Sequence, residues 1–294
     1  MDILNFGSLN IDHVYRMERF VRPGETVSSL SYERFCGGKG LNQSIALARA
    51  GASVFHAGKI GPEGGLLKVA LAENEVDIRF VETCETPTGH AVIQVDAAGE
   101  NAIFLFGGAN RMVTAKDAER ALEDFKAGDM LLVQNEISAV GEIVALAAAR
   151  EMVVAMNPAP MNADVLTYPL DKVNYFFLNE TEAMGLSGES APDRALAALT
   201  SRYPAARIVL TLGSRGALCA WDGQTAEARA PKVEAVDATG AGDTFIGYYL
   251  AAVSSGRAEA EALDLACRAA ALSVTRKGAS SSIPWLDEAE AFSL

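Results

Sequence analysis

Short apolar runs alternate with helical patterns along most of the chain. The runs lie at residues 3–6, 53–57, 130–134, 153–157, 175–178 and 208–212. Such runs are typical of strands that are buried on both faces of a sheet. Between them, apolar residues recur at helical spacing in 41–50, 115–126, 140–150 and 194–203. The alternation predicts an α/β fold, a three-layer sandwich in which helices cover both faces of a mostly parallel central sheet.

Two segments interrupt this alternation and predict a second, smaller sheet. Residues 12–35 and 86–106 contain β-prone stretches and glycine turns, without a helical pattern of their own. The stretches could pair into a separate sheet that covers a binding site as a lid. An ordinary hairpin extension explains the pattern equally well. Because no repeat or linker divides the chain, we expect one domain over 1–294 that includes these lid segments.

Charge and cysteine spacing narrow the classes of protein and partner. The 294 residues carry a formal net charge of −13, which opposes binding to nucleic acid and to anionic membranes. We therefore expect neither partner. The four cysteines have no metal-ligand spacing, and the chain begins with a strand pattern rather than a secretory signal. These features predict free thiols and a cytoplasmic location.

The stretch Asp237-Ala-Thr-Gly-Ala-Gly-Asp243 carries the clearest chemical signal. Gly240 and Gly242 precede a run with helical apolar spacing, so they mark a helix N-terminus. The free N–H groups and partial positive charge of such a terminus favour an anion. Asp243 could accept a proton from a hydroxyl while those N–H groups hold a phosphoryl group. An Asp at a helix start is more often a cap, and the stretch matches neither a Walker A loop nor the dinucleotide fingerprint.

Four further polar segments suit the parts of a sugar or a nucleotide. Asn10 and Asp12 project to one side of an extended segment, as adjacent sugar hydroxyls would require. The glycines of 37–42 permit close approach of a ligand to the backbone. Residues 179–182 could hold hydrated Mg²⁺, and the glycines and hydroxyls of 211–216 suit nucleotide phosphates. Each segment alone is also explained as a turn or a helix cap.

Taken together and in order, these segments resemble the ribokinase-like (PfkB-type) carbohydrate kinases. The resemblance covers nearly the whole chain. It also includes Gly-Gly-Lys-Gly-Leu-Asn-Gln (37–43), Gly-Gly-Ala-Asn (107–110), Asn-Pro-Ala-Pro (157–160) and Val-Thr-Arg-Lys-Gly-Ala (274–279). It implies an ATP-dependent sugar kinase, with D-ribose as the expected substrate. A related kinase for fructose, another pentose or a nucleoside is the alternative enzyme, and a non-catalytic sugar-binding regulator is the alternative of another class.

The resemblance also implies a role for individual residues. Asp243 would be the base that deprotonates the primary hydroxyl of the sugar, beside an anion hole formed by Gly240, Ala241 and Gly242. The implied sugar contacts are Asn10, Asp12, Gly38, Lys39, Asn42, Glu136 and Asp243. The implied nucleotide contacts are Asn179, Thr211, Gly213, Ser214, Gly216 and Gly242. Glu182 would order Mg²⁺ through water, and a monovalent cation, expected to be K⁺, would lie at Asp237, Thr239, Ser273, Arg276, Gly278 and Ser282. A homodimer formed through the lid is implied as well.

Three departures from the family pattern bear on the ligands rather than on the kinase chemistry. Ile11 replaces a small residue between the two polar sugar contacts, which could narrow or redirect the sugar pocket. Cys267 stands where the family often has Asn near the adenine, so we expect an apolar contact to the base. Phe104 and Phe106 are bulky residues on the predicted lid.

Overall fold

Two separate sheets hold the strands of the computed structural model, which describes residues 1–292. In chain order the strands are β1 (Ile3–Phe6), β2 (Asn10–Arg16), β3 (Ser31–Gly37), β4 (Val54–Ile60), β5 (Asp77–Thr83), β6 (Gly89–Val95), β7 (Asn101–Phe106), β8 (Met130–Gln134), β9 (Val153–Asn157), β10 (Tyr175–Leu178), β11 (Arg207–Thr211), β12 (Ala217–Trp221) and β13 (Gln224–Ala228). The larger sheet has the order β13-β12-β11-β10-β9-β8-β1-β4-β5. Its neighbouring strands are parallel except at β12, which is antiparallel to both of its neighbours.

Helices cover both faces of the large sheet. They are α1 (Lys39–Arg49), α2 (Gly65–Glu73), α3 (Ala115–Leu122), α4 (Val140–Ala149), α5 (Glu180–Ser187), α6 (Pro192–Arg202), α7 (Ala241–Ser254), α8 (Glu259–Ser273) and α9 (Leu286–Ala291). The sheet has a hydrophobic core on each face, and successive residues of one strand belong to different cores. Ile3 belongs to the core that includes α1, α7 and α8, and Leu4 belongs to the core that includes α3 and α4. A strand with both faces buried must be apolar throughout, which explains the short apolar runs. The predicted three-layer α/β sandwich is confirmed.

The smaller sheet has the order β3-β2-β6-β7 and is separate from the large sheet. Strand β2 is parallel to β6, and the other two pairings are antiparallel. This confirms the smaller sheet. Strand β2 begins at Asn10, two residues before the predicted lid segment 12–35, and β3 ends at Gly37, two residues after it. No helix within residues 1–292 has both the length and the apolar content to cross a membrane.

Helix α1 begins two residues before the predicted start, and this difference matters for the site. Gly38 precedes it with a positive φ of 95°, a conformation that favours glycine. The earlier start places Lys39 and Asn42 in the first turn of the helix. Helix α3, in contrast, ends at Leu122 rather than at residue 126. Sequence patterns locate helices better than they locate helix ends.

Candidate active site

The first turn of α7 places the buried side chain of Asp243 at a helix N-terminus that is itself partly exposed. Gly240 caps the helix in the left-handed conformation, with φ 77°, and a Cβ there would lie 3.2 Å from the Cα of Ala279. Glycine therefore suits this position both by its φ and by its size. Asp243 is 7% exposed. The first-turn N–H groups of a helix lack partners within the helix, so this turn can hold an anion next to the carboxylate.

Helix α1 supplies the side chains that contact Asp243. Asn42 Nδ2 donates to Asp243 Oδ2 at 3.0 Å, and Gln43 Nε2 donates to Oδ1 at 2.8 Å. The two helices approach closely because Gly247 of α7 has no side chain, and a Cβ there would overlap Ala46. The Asp243 carboxylate also raises the pKa of Lys39, in spite of the burial of the lysine. Gln43 was not among the predicted site residues, although it ends the Gly-Gly-Lys-Gly-Leu-Asn-Gln motif.

The predicted sugar residues meet where β2, α1 and the end of β8 come together. Glu136 Oε2 accepts the backbone N–H of Lys39 at 3.1 Å and also the hydroxyl of Ser8. Asp12 lies across Gly37, where a Cβ would overlap its carboxylate. Burial, and then the charge of Glu136, raises the pKa of Asp12 to about 7. A half-buried carboxyl group of this kind gains from a ligand hydroxyl that donates to it.

Asn10 is held in a defined orientation by a residue that sequence reasoning missed. Asn110 Nδ2 donates to Asn10 Oδ1 at 2.7 Å, and Asn110 Oδ1 accepts the N–H of Leu9 at 3.0 Å. The amide nitrogen of Asn10 is therefore left to act as a donor to a ligand. The motif Gly-Gly-Ala-Asn was a signal for Asn110, but nothing in the sequence linked it to Asn10.

Ile11 is buried in the core, and the expectation that it narrows or redirects the sugar pocket stays a prediction. Successive residues of a strand point to opposite faces. Asn10 and Asp12 share one face of β2, and Ile11 lies on the other face, 2% exposed in the core cluster that includes α1. The residue is large because it fills that core.

Two adjoining cavities meet at the first turn of α7. The larger, of 630 Å³, is lined by the predicted nucleotide residues Thr211, Gly213, Ser214, Gly216 and Gly242, with Cys267 in its wall. The smaller, of 270 Å³, is lined by Lys39, Asn179, Glu182, Gly240 and Asp243 among others. Both share Thr211, Ala238 and Gly242. Asp243 lines the smaller cavity, and the larger cavity adjoins it at the first turn of α7.

Asn179 and Glu182 form a capping box at the start of α5. Asn179 Oδ1 accepts the N–H of Glu182 at 2.9 Å, and Glu182 Oε2 accepts the N–H of Asn179 at 2.8 Å. The alternative explanation of this segment, a helix cap, is therefore correct for both side chains. Burial raises the pKa of Glu182, which also lines the smaller cavity. The cap fixes the carboxylate at the cavity wall, where a ligand can reach it.

Asp237 connects the two loops in which the monovalent cation site was predicted. Its Oδ1 accepts the N–H of Thr239 and its Oδ2 accepts the N–H of Gly278, each at 2.9 Å. Burial raises the pKa of Asp237, but these hydrogen bonds outweigh it, so the pKa is lowered overall. The guanidinium of Arg276 pairs with Glu288 at 2.6 Å, which leaves its carbonyl unobstructed by its own side chain.

The remaining two predicted cation ligands make contacts within their own segments. The hydroxyl of Ser273 donates to the carbonyl of Ala270, and the hydroxyl of Ser282 donates to the carbonyl of Ala279, each at 2.8 Å. The structure therefore brings Asp237, Thr239 and Gly278 together by direct hydrogen bonds. It does not join the two serines to them in that way.

Comparison with known proteins agrees with this geometry. The model of the pfkB family carbohydrate kinases matches residues 2–286. A ribokinase of Staphylococcus aureus (strain COL) is 35% identical, over 97% of each chain, and a deoxyribokinase of Salmonella typhi is 33% identical, over 98% of this chain and 97% of its own. The solved structure of a ribokinase from Cryptococcus neoformans var. grubii serotype A in complex with ADP superposes with a TM-score of 0.88, at 33% identity over 98% of each chain. The chain belongs to the pfkB family of carbohydrate kinases.

Proposed function

We propose that this carbohydrate kinase transfers the γ-phosphoryl group of ATP to the primary hydroxyl of D-ribose, which yields ribose 5-phosphate. The position of Asp243 carries the proposal. Its carboxylate contacts Asn42 of the polar cluster and lines the smaller cavity, which adjoins the larger cavity that contains Cys267. A sugar on one side and a nucleotide on the other would place the accepting hydroxyl and the γ-phosphoryl group on either side of the first turn of α7.

Asp243 is the proposed base, and the first turn of α7 is the proposed anion hole. In phosphoryl transfer, negative charge spreads over the oxygens of the transferred group. The N–H groups of Gly240, Ala241 and Gly242 belong to a helix N-terminus, whose partial positive charge stabilises that negative charge. Lys39, which is held protonated by Asp243, adds a positive charge to the same cavity.

The polar cluster is the proposed sugar site. The amide nitrogen of Asn10 donates to a sugar oxygen, and the carboxylates of Asp12 and Glu136 accept from sugar hydroxyls. Asn42 contributes its Oδ1, a buried atom that has no hydrogen-bond partner in the described chain. A buried acceptor of this kind is costly unless a ligand satisfies it. The residues thus fit a polyhydroxylated ligand that both donates and accepts hydrogen bonds.

The larger cavity is the proposed ATP site. The smaller cavity has oxygen ligands that fit hydrated Mg²⁺. Mg²⁺ takes oxygen ligands and keeps several waters, and Glu182 offers a fixed carboxylate at the cavity wall. When bound, Mg²⁺ neutralises charge on the phosphates. Thr211, Gly213, Ser214 and Gly216 line the space where the nucleotide would bind. Cys267 gives the wall of this space a thiol rather than an amide.

A monovalent cation, K⁺, is the proposed activator. Asp237 already ties the loop before α7 to the loop around Gly278, so an ion there would fix the anion hole without contacting substrate. Activity should rise with K⁺ at constant ionic strength, and Na⁺ should substitute poorly. Asp237→Ala should weaken this response and keep the fold. A rate that is full without K⁺ and unchanged by its addition would contradict the activator and leave the kinase reaction untouched.

A second copy of this chain is the proposed partner of the small sheet. Strand β7 lies at the edge of that sheet, and Ile103, Phe104, Leu105 and Phe106 on it are each 46–62% exposed. A contiguous apolar edge of this kind usually marks an interface. We propose a cytoplasmic location because all four cysteines are free thiols, as expected in a reducing compartment.

The substrate is tested by ATP consumption against a panel of sugars. D-ribose, 2-deoxyribose, fructose and a nucleoside are compared at equal concentration, with ATP hydrolysis in the absence of sugar as the control. We expect the highest kcat/KM for D-ribose. A higher kcat/KM for 2-deoxyribose would make that sugar the preferred substrate and leave the proposed reaction unchanged. A sugar that binds but never stimulates ATP consumption would favour the non-catalytic regulator, against which the buried Asp243 and its helix terminus argue.

A further inference from the structure

A row of buried polar side chains runs from Asp243 into the core of the protein. Each of its members is fully buried: Gln43, Gln134, Asn5, Ser44 and His56. They belong to α1 and to the large-sheet strands β8, β1 and β4. Two atoms of the row, Gln134 Oε1 and His56 Nε2, have no hydrogen-bond partner in the described chain. Apolar side chains would avoid that cost, so the row needs an explanation other than stability.

The direction of every hydrogen bond in the row follows from one backbone carbonyl. Asn5 Nδ2 donates to the carbonyl of Gly40 at 2.8 Å, and a carbonyl can only accept. Asn5 Oδ1 must then accept, and it does so from Gln134 Nε2 at 2.9 Å. The second proton of Gln134 Nε2 goes to Gln43 Oε1 at 2.7 Å. The amide of Gln43 is thereby oriented with its nitrogen towards Asp243.

The other end of the row is compatible with the same direction. Asn5 Nδ2 also donates to Ser44 Oγ at 2.8 Å, which leaves the Ser44 proton for His56 Nδ1 at 2.8 Å. Burial lowers the pKa of His56 to about 4. The imidazole is therefore neutral at physiological pH, and its Nδ1 can accept the Ser44 proton. No titration within the row disturbs its direction near neutral pH.

At Asp243 the row ends on one oxygen of the carboxylate. Gln43 Nε2 donates to Oδ1 at 2.8 Å, and Asn42, a proposed sugar residue, donates from Nδ2 to Oδ2 at 3.0 Å. The other charged groups that face Asp243 are Lys39 and Glu182, both in the wall of the smaller cavity. Neither forms a hydrogen bond to Oδ1.

We propose that Gln43 is a positioning residue for phosphoryl transfer. Its amide, which is oriented by Gln134, fixes the Asp243 carboxylate through Oδ1. This inference rests on the proposed role of Asp243 as the base. Because Gln43 touches neither sugar nor nucleotide in this arrangement, its loss changes kcat more than either KM.

Two substitutions of Gln43 test the proposal. Gln43→Met keeps the length of the side chain and removes the donor, so kcat should fall about 10-fold, as for the loss of one hydrogen bond to a charged group. Gln43→Glu keeps the shape and places a second carboxyl group against Asp243, so kcat should fall at least as far. Both KM values should stay within about two-fold of the parent.

Control variants separate the possible failures. Tyr249→Phe removes a buried hydroxyl from α7, the helix that carries Asp243. This hydroxyl contacts Cys219 and Glu259 rather than Asp243, so its loss should lower Tm without changing kcat. Thermal unfolding and ADP binding show whether each variant is folded. A parental kcat in folded Gln43→Met and Gln43→Glu, beside an inactive Asp243→Asn, would overturn the role of Gln43. A parental rate in Asp243→Asn would overturn the role of the base instead.

Discussion

The first turn of α7 and the small sheet differ in how completely the protein surrounds them. Asp243 is 7% exposed and receives hydrogen bonds on both carboxylate oxygens, whereas Phe104 and Leu105 of β7 are 59% and 62% exposed. The Asp243 carboxylate is therefore held in place by α1 and α7 of the main core. The small sheet leaves apolar surface that a second copy can cover. The proposed chemistry thus lies in the main core, whereas the proposed sugar site includes a sheet that leaves apolar surface exposed.

Removal of the proposed base should give the largest effect and tests the role of the main core. Asp243→Asn keeps the shape of the side chain but cannot take the proton, so kcat should fall about 10²–10⁴-fold. Binding of the sugar, measured by calorimetry, should persist, because the polar cluster on β2 is unchanged. A turnover within a few-fold of the parent would show that another group accepts the proton.

A substitution of Asp12 tests whether the small sheet contributes to the proposed sugar site. Asp12→Ala removes an acceptor for a sugar hydroxyl, and such a bond to a charged group corresponds to an increase of about 10–100-fold in KM for the sugar. KM for ATP should hardly change, because the proposed nucleotide residues lie around the larger cavity. An equal rise in both KM values would make Asn10 and Asp12 structural residues of β2.

The elevated pKa of Asp12 predicts a pH dependence of sugar binding. Burial and Glu136 raise this pKa from 3.8 to about 7, so the folded protein binds the proton more tightly than the unfolded chain does. Stability should therefore decline as pH rises from about 4 to 7, where the folded carboxyl group ionises. Sugar hydroxyls favour the ionised form, so kcat/KM for the sugar should fall below pH 7. Asp12→Asn should remove this limb; its persistence there would assign it to another group.

The exposed edge of β7 should give the smallest catalytic effect. Leu105→Glu places a charge on the proposed interface and should shift the protein from dimer to monomer in analytical ultracentrifugation, with only a few-fold change in KM for the sugar. Val69→Glu, at a residue of α2 that is 55% exposed, is the matched control and should leave the dimer intact. A parent protein that is already monomeric would contradict the proposed interface.

The parts of the fold that could be predicted are those whose burial produces a local pattern of apolar residues in the sequence. Strands β8 and β10 occur at the predicted bounds because strands covered on both faces are apolar throughout. Strand β13 was missed because its sequence, Gln-Thr-Ala-Glu-Ala, is mostly polar, and pairing with β12 alone defines it. The position of α7 after its glycines was predictable for the same local reason as the apolar strands.

The individual site residues stay predictions from motif resemblance, and their contacts could not be predicted. Gln43 meets Asp243 across 200 residues of sequence, because α1 packs tightly against α7 at Gly247. No local pattern contains that approach. The contact from Asn110 to Asn10 spans 100 residues and depends on the start of β2 lying beside the Gly-Gly-Ala-Asn turn. Motifs supplied the residue types, and tertiary packing supplied their orientation.

The position of the phosphoryl group on the product tests the central claim most directly. The enzyme is incubated with ATP, Mg²⁺ and D-ribose, and the product is analysed by phosphorus–proton correlation NMR. The geometry around Asp243 predicts a phosphorus coupled to the protons of the primary carbon, as in ribose 5-phosphate, with one ADP formed per sugar. Phosphorylation of another hydroxyl, or ADP formed without a sugar phosphate, would contradict the proposed placement of the primary hydroxyl beside Asp243.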